Sequence, residues 1–490
     1  MIDPVVAQVV ESVLVVATIA FACYFLLYQL IYLVIVTRAI GAITDERRWA
    51  SDDLLSGTFA SPLTPGVSVL VPAHNESAGV VACVESLLRL QYPQVQIVVV
   101  DDGSTDGTSE VLRETYPMLR TDEDPVNPLE LLKPVEEVWR FVDRDALLVR
   151  KVSSGRRADA VNAALQFARH ELVCMIDGDS ILEPTALLRV VQPFIDDPTV
   201  VASGGIVRPA NGAVLLDAEI DSVEVPRTLI ERIQVLEYLR AFLVGRAGWS
   251  AIKGLLIISG AFGVFRRDTL VSFGGLDAAS LAEDAELVVA AHRHHRAARE
   301  PYRIVFVADP VCWTEVPSTW GAVARQRKRW SQGLGELLKG ARDMIMRPRF
   351  GTLGMVTLPY FWLFEQWGAP IVMLAFVFTV LTGALGLIPW PVIGLALAVS
   401  YFLAVATSLL AIAIELSATR DYRRARSVAR LVATAFIEPI VFYFPHAVWR
   451  SIGLLRAILS RPSEWGVQTR AGFVQRGGAV PVDGEAGARR

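Results

Sequence analysis

Two long apolar blocks sit at the ends of this chain, and shorter apolar runs alternate with polar stretches between them. Residues 5–36 are almost all apolar, with Glu11 the only charge. The run exceeds the roughly 20 residues a helix needs to cross the hydrocarbon core. No Lys or Arg precedes it, while Arg38, Arg47 and Arg48 follow. A cleavable signal peptide has a basic start and a shorter core. The charge bias therefore predicts a retained transmembrane helix with its N-terminus outside and residue 38 onward in the cytoplasm.

A second apolar region begins near Phe350. Residues 355–387, interrupted by Glu365 and Pro370, read as one span near 367–387 preceded by an amphipathic interfacial helix. Two short spans are the less comfortable alternative. Residues 391–415 form the next span. The loop carrying Arg420, Arg423, Arg424, Arg426 and Arg430 reads as cytoplasmic, and 431–449 is the last apolar stretch. Three full spans would leave the tail outside, whereas Arg450, Arg456, Arg461, Arg470 and Arg476 favour the inside. A re-entrant hairpin broken at Pro439 and Pro445, or an extra span upstream, would each resolve the conflict. Glu438 has two readings of equal weight, one facing protein or a channel and the other snorkelling to the interface.

Between the apolar blocks, residues 67–71 form a short strand ending at Pro72, and 77–90 read as a helix. A β-branched strand at 96–100 ends at Asp101-Asp102-Gly103, and a helix follows from 106. The strand at 172–176 ends at Asp177-Gly178-Asp179. This alternation predicts an α/β domain with a mostly parallel central sheet. Ligands of such sheets bind past the carboxyl ends of the strands, where these acidic groups lie. Residues 116–149 carry Asp122, Glu123, Asp124, Glu136 and Glu137, with prolines at 117, 125, 128 and 134. They read as a mobile excursion or a small helical insert with a solvated face. The expected organisation is a transmembrane helix at 1–40, a linker at 41–66, a cytoplasmic catalytic domain at 67–340, interfacial and transmembrane helices at 341–460, and a polar tail at 461–490.

Composition adds exclusions. Hydrophobic residues make up 53% of the chain, only a little above a soluble average, so their distribution carries the membrane argument. The net charge of -4 gives no case for nucleic acid. Cys23, Cys83, Cys174 and Cys312 form no CxxC pair and read as small hydrophobes in a reducing compartment. His292, His294 and His295 show no metal-ligand spacing and read as surface residues.

Asp177-Gly178-Asp179 places two carboxylates on a turn, and hard divalent cations such as Mg²⁺ or Mn²⁺ want oxygen ligands. Many acidic turns are merely solvated, but this one ends a buried-looking strand. The turn at Asp101-Asp102-Gly103-Ser104 either caps the next helix or recognises a nucleoside, and Asn75-Glu76 faces the same choice. Glu283-Asp284 either complements a helix dipole or supplies a base for a hydroxyl. In Gln326-Arg327-Lys328-Arg329-Trp330, Arg329 offers a donor fork for a diphosphate and Trp330 a face for stacking on a sugar; a membrane-facing cluster is the alternative.

The ordered set VPAHNE (71–76), DDGS (101–104), GRRADAVNAAL (155–165), DGD (177–179), SGAFGVFRR (259–267), ED (283–284) and QRKRW (326–330) resembles the inverting, GT-A-fold glycosyltransferase family 2. It looks closest to membrane-embedded processive synthases of cellulose, hyaluronan, chitin oligosaccharides and poly-N-acetylglucosamine. The resemblance covers roughly residues 67–333 and implies an α/β GT-A domain flanked by transmembrane helices. It also implies a multi-pass protein of a bacterial-type plasma membrane.

By that resemblance, Asp102 recognises the uridine of a UDP-sugar donor, such as UDP-GlcNAc, and Asp177 helps hold the nucleotide. Asn75, Glu76 and Arg157 join the donor site. Asp179 coordinates Mg²⁺ or Mn²⁺. Asp284 is the general base, with Glu283 beside it in the catalytic pair. Gln326 and Arg329 support the leaving diphosphate, and Trp330 lines the acceptor site. Arg157 stands where many relatives carry lysine, and Ala282 replaces a threonine common before the acidic pair. The implied acceptor is a growing polysaccharide in contact with membrane lipid, with accessory secretion or polymer-modifying proteins as partners. The alternative acceptor is a glycolipid or short glycan that receives a single sugar.

Overall fold

The computed structural model describes residues 4–49, 63–418 and 424–461, together with 57, 61, 422, 474 and 475. Arg470, Arg476 and nearly all of the expected 461–490 tail lie outside the described residues.

Every residue of β1 (Val67–Ala73) and β6 (Leu172–Ile176) is buried, as is nearly all of β2 (Val95–Asp102). Runs that are apolar on both faces belong at the centre of a covered sheet. That is where they lie: β1 pairs in parallel with β2 and with β6, and β2 pairs in parallel with β5 (Ala146–Lys151). Around this parallel centre the sheet is mixed. On one side, β3 (Met118–Thr121), β4 (Val135–Phe141) and β5 form an antiparallel meander. On the other, β11 (Phe262–Arg266) runs antiparallel between β6 and β8 (Val200–Pro209). β12 (Arg303–Thr314) pairs in parallel with β8 and antiparallel with the edge strand β7 (Ser180–Leu182). The ten strands run in the order β3-β4-β5-β2-β1-β6-β11-β8-β12-β7.

The 116–149 stretch is therefore neither a mobile excursion nor a helical insert. Pro117 and Pro134 each stand just before a strand, where a missing N–H breaks no ladder. Val138 and Phe141 turn inward, while Glu136 and Glu137 face Arg150 and Arg120 across the outer surface.

The N-terminal helix runs Pro4–Trp49, past the expected boundary at 40. Its last turns pack on the α/β domain rather than entering a linker. Ile35, Val36, Ala39 and Ile43 are buried. Gly248 approaches so closely that a Cβ there would lie 2.5 Å from the Ile35 carbonyl oxygen. The Glu46 carboxylate accepts from the Ala308 N–H of β12 at 2.9 Å.

Among the described residues, two helical stretches, Ser12–Glu46 and Trp390–Ser417, are long and apolar enough to cross a membrane. Two further helix pairs pass the same test but are bent, Leu353–Gln366 with Gly368–Ala384 by 45° and Ala425–Val441 with Tyr443–Ile458 by 58°. The first break falls at the expected start of a span at 367. The second falls at Phe442, between Pro439 and Pro445. Each is a broken span or a re-entrant loop. The chain is thus a multi-pass membrane protein whose α/β domain lies between membrane helices, on the cytoplasmic side by its flanking arginines.

Buried ion pairs tie the two parts together. Arg208 of β8 makes a bidentate pair with Glu415 of the Trp390–Ala418 helix, at 3.0 and 2.6 Å, with both side chains sealed from solvent. Glu438 is also buried and paired, with Arg240 at 2.8 Å, which supports the protein-facing reading over snorkelling. Cys83, Cys174 and Cys312 are buried free thiols, and Cys23 is exposed. Among the histidines, only His294 fits the surface expectation. His295 is buried, and His292 is buried with Nε2 2.9 Å from the Leu255 carbonyl and Nδ1 2.7 Å from the Tyr302 hydroxyl.

Candidate active site

The two neighbouring aspartates at the end of β2 have separate tasks. Asp101 faces the following helix, accepting the Ser104 N–H at 2.8 Å and the Ser109 hydroxyl. Asp102 turns toward the cavity and is held by Lys151 Nζ at 2.8 Å and by the Ser153 hydroxyl at 3.2 Å. The same lysine lies 2.8 Å from Asp159, so one buried ammonium serves two carboxylates. The two carboxylates thus face different ways, Asp101 into the packing against the next helix and Asp102 toward the cavity. Asn75 adopts φ +57° and locks onto the neighbouring turn, its Oδ1 accepting the Thr105 N–H at 2.8 Å. Asn75 and Glu76 border the same cavity as Asp102.

Past β6, Asp177 and Asp179 flank a glycine whose Cβ would meet Ala73 Cβ at 3.2 Å and the Pro72 oxygen at 3.3 Å. Asp179 is buried and accepts from the Thr314 hydroxyl at 3.2 Å. Asp177 is engaged by Arg157, whose Nε lies 2.8 Å from Oδ1. The same guanidinium donates to the Gly260 carbonyl at 2.6 Å and reaches Glu283 at 3.4 Å. Burial works against its charge, but Asp177 and Glu283 hold the Arg157 guanidinium above its ordinary pKa. Burial pushes the Glu283 carboxyl up against the lowering pull of Arg157, and neighbouring Asp284 adds to the rise.

Asp284 occupies the first turn of the Glu283–Ala298 helix. Its Oδ2 accepts the Gly260 N–H at 3.0 Å and its Oδ1 the Ala285 N–H at 2.9 Å. These bonds fix the carboxylate at the cavity wall with its position set by two backbone donors. The QRKRW run lies on the Trp320–Gly340 helix. Gln326, Arg329 and Trp330 line the cavity. Trp330 is held by the Arg327 guanidinium, 4.3 Å from its ring centroid, and Arg327 is paired with Glu237 at 2.6 Å. Burial lowers the pKa of Arg329, while Glu283, Asp177 and Asp284 favour its charge. Trp320 packs on Phe442 and Trp449, behind this segment.

A single cavity of about 1910 Å³ joins these groups. Asp102, Asp177, Asp179, Asp284, Gln326, Arg329 and Trp330 border one part of it, and Tyr28, Tyr360, Phe376 and Tyr401 of the membrane helices border another. The donor set fits a hard divalent cation, because Asp177 and Asp179 bring carboxylate oxygens to one turn on the cavity wall. Another group with metal-ligand spacing, His294, His295 and Glu300, begins ten residues beyond Asp284 on the same helix, about 15 Å along its axis. It is separate from the acidic turn.

Sequence reasoning missed Lys151, Thr314 and Arg246. Lys151 carried a signal, a single ammonium closing the apolar strand run ALLVRK. Thr314 and Arg246 reach the site only through sheet pairing and helix packing.

The sequence matches Glycosyl transferase family 2 over residues 68–216 and Glycosyl transferase family group 2 over residues 172–414. It is 26% identical over 302 residues to a poly-beta-1,6-N-acetyl-D-glucosamine synthase of Staphylococcus epidermidis, covering 61% of each chain. Identity to the protein of that name from Staphylococcus aureus (strain COL) is 26% over 304 residues, again 61% of each. The match thus spans about three fifths of the length of these relatives. Among solved structures, a mannosyltransferase from Pyrobaculum calidifontis in complex with GDP-Man and Mn²⁺ aligns over 89% of this chain and 99% of its own, at 20% identity and TM-score 0.47. A glucosyl-3-phosphoglycerate synthase from Mycobacterium tuberculosis in complex with Mn²⁺ and UDP-glucose aligns over 58% of this chain and 82% of its own, at 15% identity and TM-score 0.36.

Proposed function

Starting from the chain's membership of glycosyltransferase family 2, we propose that it is an inverting synthase that builds a β-linked polysaccharide from a UDP-sugar at the cytoplasmic membrane face. The observation that carries this reading is the continuous cavity running from the acidic turns into the aromatic walls of the membrane helices. In this reading a polymer grown at Trp330 extends into the part of the cavity lined by the membrane helices. The similarity to poly-beta-1,6-N-acetyl-D-glucosamine synthases supports UDP-GlcNAc as the first donor to test.

In this reading Asp102 binds the uridine, with Lys151 fixing its carboxylate. Asn75 and Glu76 border the nucleotide pocket. Asp177 helps hold the nucleotide, and Asp179 would hold Mg²⁺ or Mn²⁺, which would supply charge neutralisation at the donor diphosphate. Arg157 orders Asp177 and Glu283 around that pocket. Asp284 takes the proton from an acceptor hydroxyl while that oxygen bonds to the anomeric carbon. The bond from that carbon to the diphosphate breaks on the opposite face, so an α-linked donor gives a β-linked product. Gln326 and Arg329 stabilise the departing UDP. Trp330 presents its face to the acceptor sugar.

Product analysis tests this reading. The full-length protein in lipid is given UDP-GlcNAc and Mg²⁺ or Mn²⁺, and the products are sized. A ladder of long products supports processive synthesis. Products one sugar longer than an added lipid or glycan instead support single transfer to that acceptor. UDP release with no acceptor elongated would overturn both.

A further inference from the structure

Arg246 stands in the cavity wall without a counter-ion. Of the six other arginines that border the same cavity, Arg157 is paired with Asp177, Arg240 with Glu438, Arg327 with Glu237 and Arg450 with Glu365. Among the described residues, no carboxylate lies within ion-pair distance of Arg246. Its guanidinium stacks on Phe242, 3.8 Å from the ring centroid, and its Nε donates to the Ile258 carbonyl at 2.5 Å. An arginine carries five N–H donors, so the terminal nitrogens remain available for a ligand.

The Ile258 contact fixes where those donors sit. Two residues along the same strand of chain, the Gly260 N–H holds Asp284. Two residues of extended chain span at most about 7 Å. One short backbone strap therefore anchors a guanidinium on one side and the carboxylate on the other, both bordering the cavity. Burial lowers the Arg246 pKa to about 10, with Asp284 acting in the opposite direction. A half-buried, incompletely bonded cation gains when a ligand oxygen accepts its hydrogen bonds.

We propose that Arg246 is an acceptor-positioning residue, whose terminal nitrogens hold an oxygen of the acceptor sugar so that the neighbouring hydroxyl meets Asp284. The inference rests on the glycosyltransferase reading above. The ligand class is a neutral glycan terminus offering a hydroxyl or amide carbonyl oxygen. A hydroxyl both donates and accepts, so adjacent sugar oxygens suit a carboxylate and a guanidinium placed side by side. The Phe242 face keeps the guanidinium flat and limits the number of orientations it samples.

The test uses full-length protein in lipid, UDP-GlcNAc, and a short β-1,6-linked N-acetylglucosamine oligosaccharide at varied concentration. Arg246→Gln is expected to raise the acceptor KM at least about tenfold, the loss of a charge-assisted hydrogen bond. Its UDP affinity should stay unchanged, and Arg246→Lys should recover part of the acceptor affinity. An unchanged acceptor KM in Arg246→Gln, with or without a fall in kcat, overturns the proposal. If Arg246→Gln no longer binds UDP, Arg246→Lys decides alone: a raised acceptor KM supports the role and an unchanged one refutes it. A wild-type protein that elongates no acceptor defeats the function itself, an outcome distinct from one confined to the variants.

Discussion

Lys151 Nζ lies 2.8 Å from Asp102 Oδ1, with the lysine side chain fully buried and the aspartate nearly so. The ammonium also touches Asp159 at the base of the Arg157–Gln166 helix. The Asp102 end of the cavity, where we propose the nucleoside binds, is thereby tied to the helix that carries Arg157. Removing one partner of a buried ion pair costs about 3–5 kcal/mol because the other charge is left without compensation. Lys151→Met is expected to lose stability on that scale and to weaken UDP binding. Thermal unfolding and UDP titration on the same preparation check it, and unchanged UDP affinity would count against the role given to Asp102.

The divided duties of the Asp101-Asp102 turn give different signatures. Asp101→Ala removes the acceptor of the Ser104 N–H and the Ser109 hydroxyl and should cost about 1 kcal/mol. Its UDP affinity should change little. Asp102→Asn should instead lower UDP affinity, and it should also cost stability, because it takes one of two carboxylates from the buried Lys151. Equal losses of UDP affinity in both variants would show that the turn works as one unit.

Burial brings the His292 pKa down from 6.5 to about 4. The folded protein therefore binds fewer protons here than the unfolded chain between these values. The associated stability is complete above about pH 6.5 and is lost as pH falls toward 4. Its ceiling is about 3 kcal/mol. The melting temperature should drop over this window, and His292→Gln should shrink the drop. A drop of the same size in that variant would assign it to other groups.

The Arg208–Glu415 pair is a buried joint between β8 and the Trp390–Ala418 helix. Glu415→Ala should destabilise the protein by about 3–5 kcal/mol. The double change Arg208→Leu with Glu415→Leu should cost less than Glu415→Ala alone. A double change at least as damaging would show that the charges themselves, rather than an uncompensated partner, matter.

Much of this design was legible in local chemistry. The apolar runs of β1, β2 and β6 gave the parallel centre of the sheet, and the acidic turns at the ends of β2 and β6 lie together on the wall of one cavity. The antiparallel meander at 118–151 was hidden because prolines and charges dominate the stretch before β5, where β3 buries no residue and β4 only Val138 and Phe141. The N-terminal helix outran its expected end because its last turns are held by packing on Gly248 and β12, which local hydropathy does not encode. Thr314 meets Asp179, and Arg246 reaches the same cavity wall, through tertiary contacts between segments far apart in sequence. The burial of His292 depends on a carbonyl from residue 255 and a hydroxyl from residue 302, so its surroundings had no sequence signature.

The central claim is that Asp284 removes the acceptor proton during transfer. Full-length wild-type and Asp284→Asn proteins are compared in lipid with UDP-GlcNAc and Mg²⁺ or Mn²⁺, following product formation and UDP release together. The carboxamide cannot take the proton, and loss of a positioned general base typically costs about 10²- to 10⁴-fold in rate. Product formation and UDP release should fall together on that scale, with UDP affinity retained. Product formed by Asp284→Asn at the wild-type rate would contradict the account.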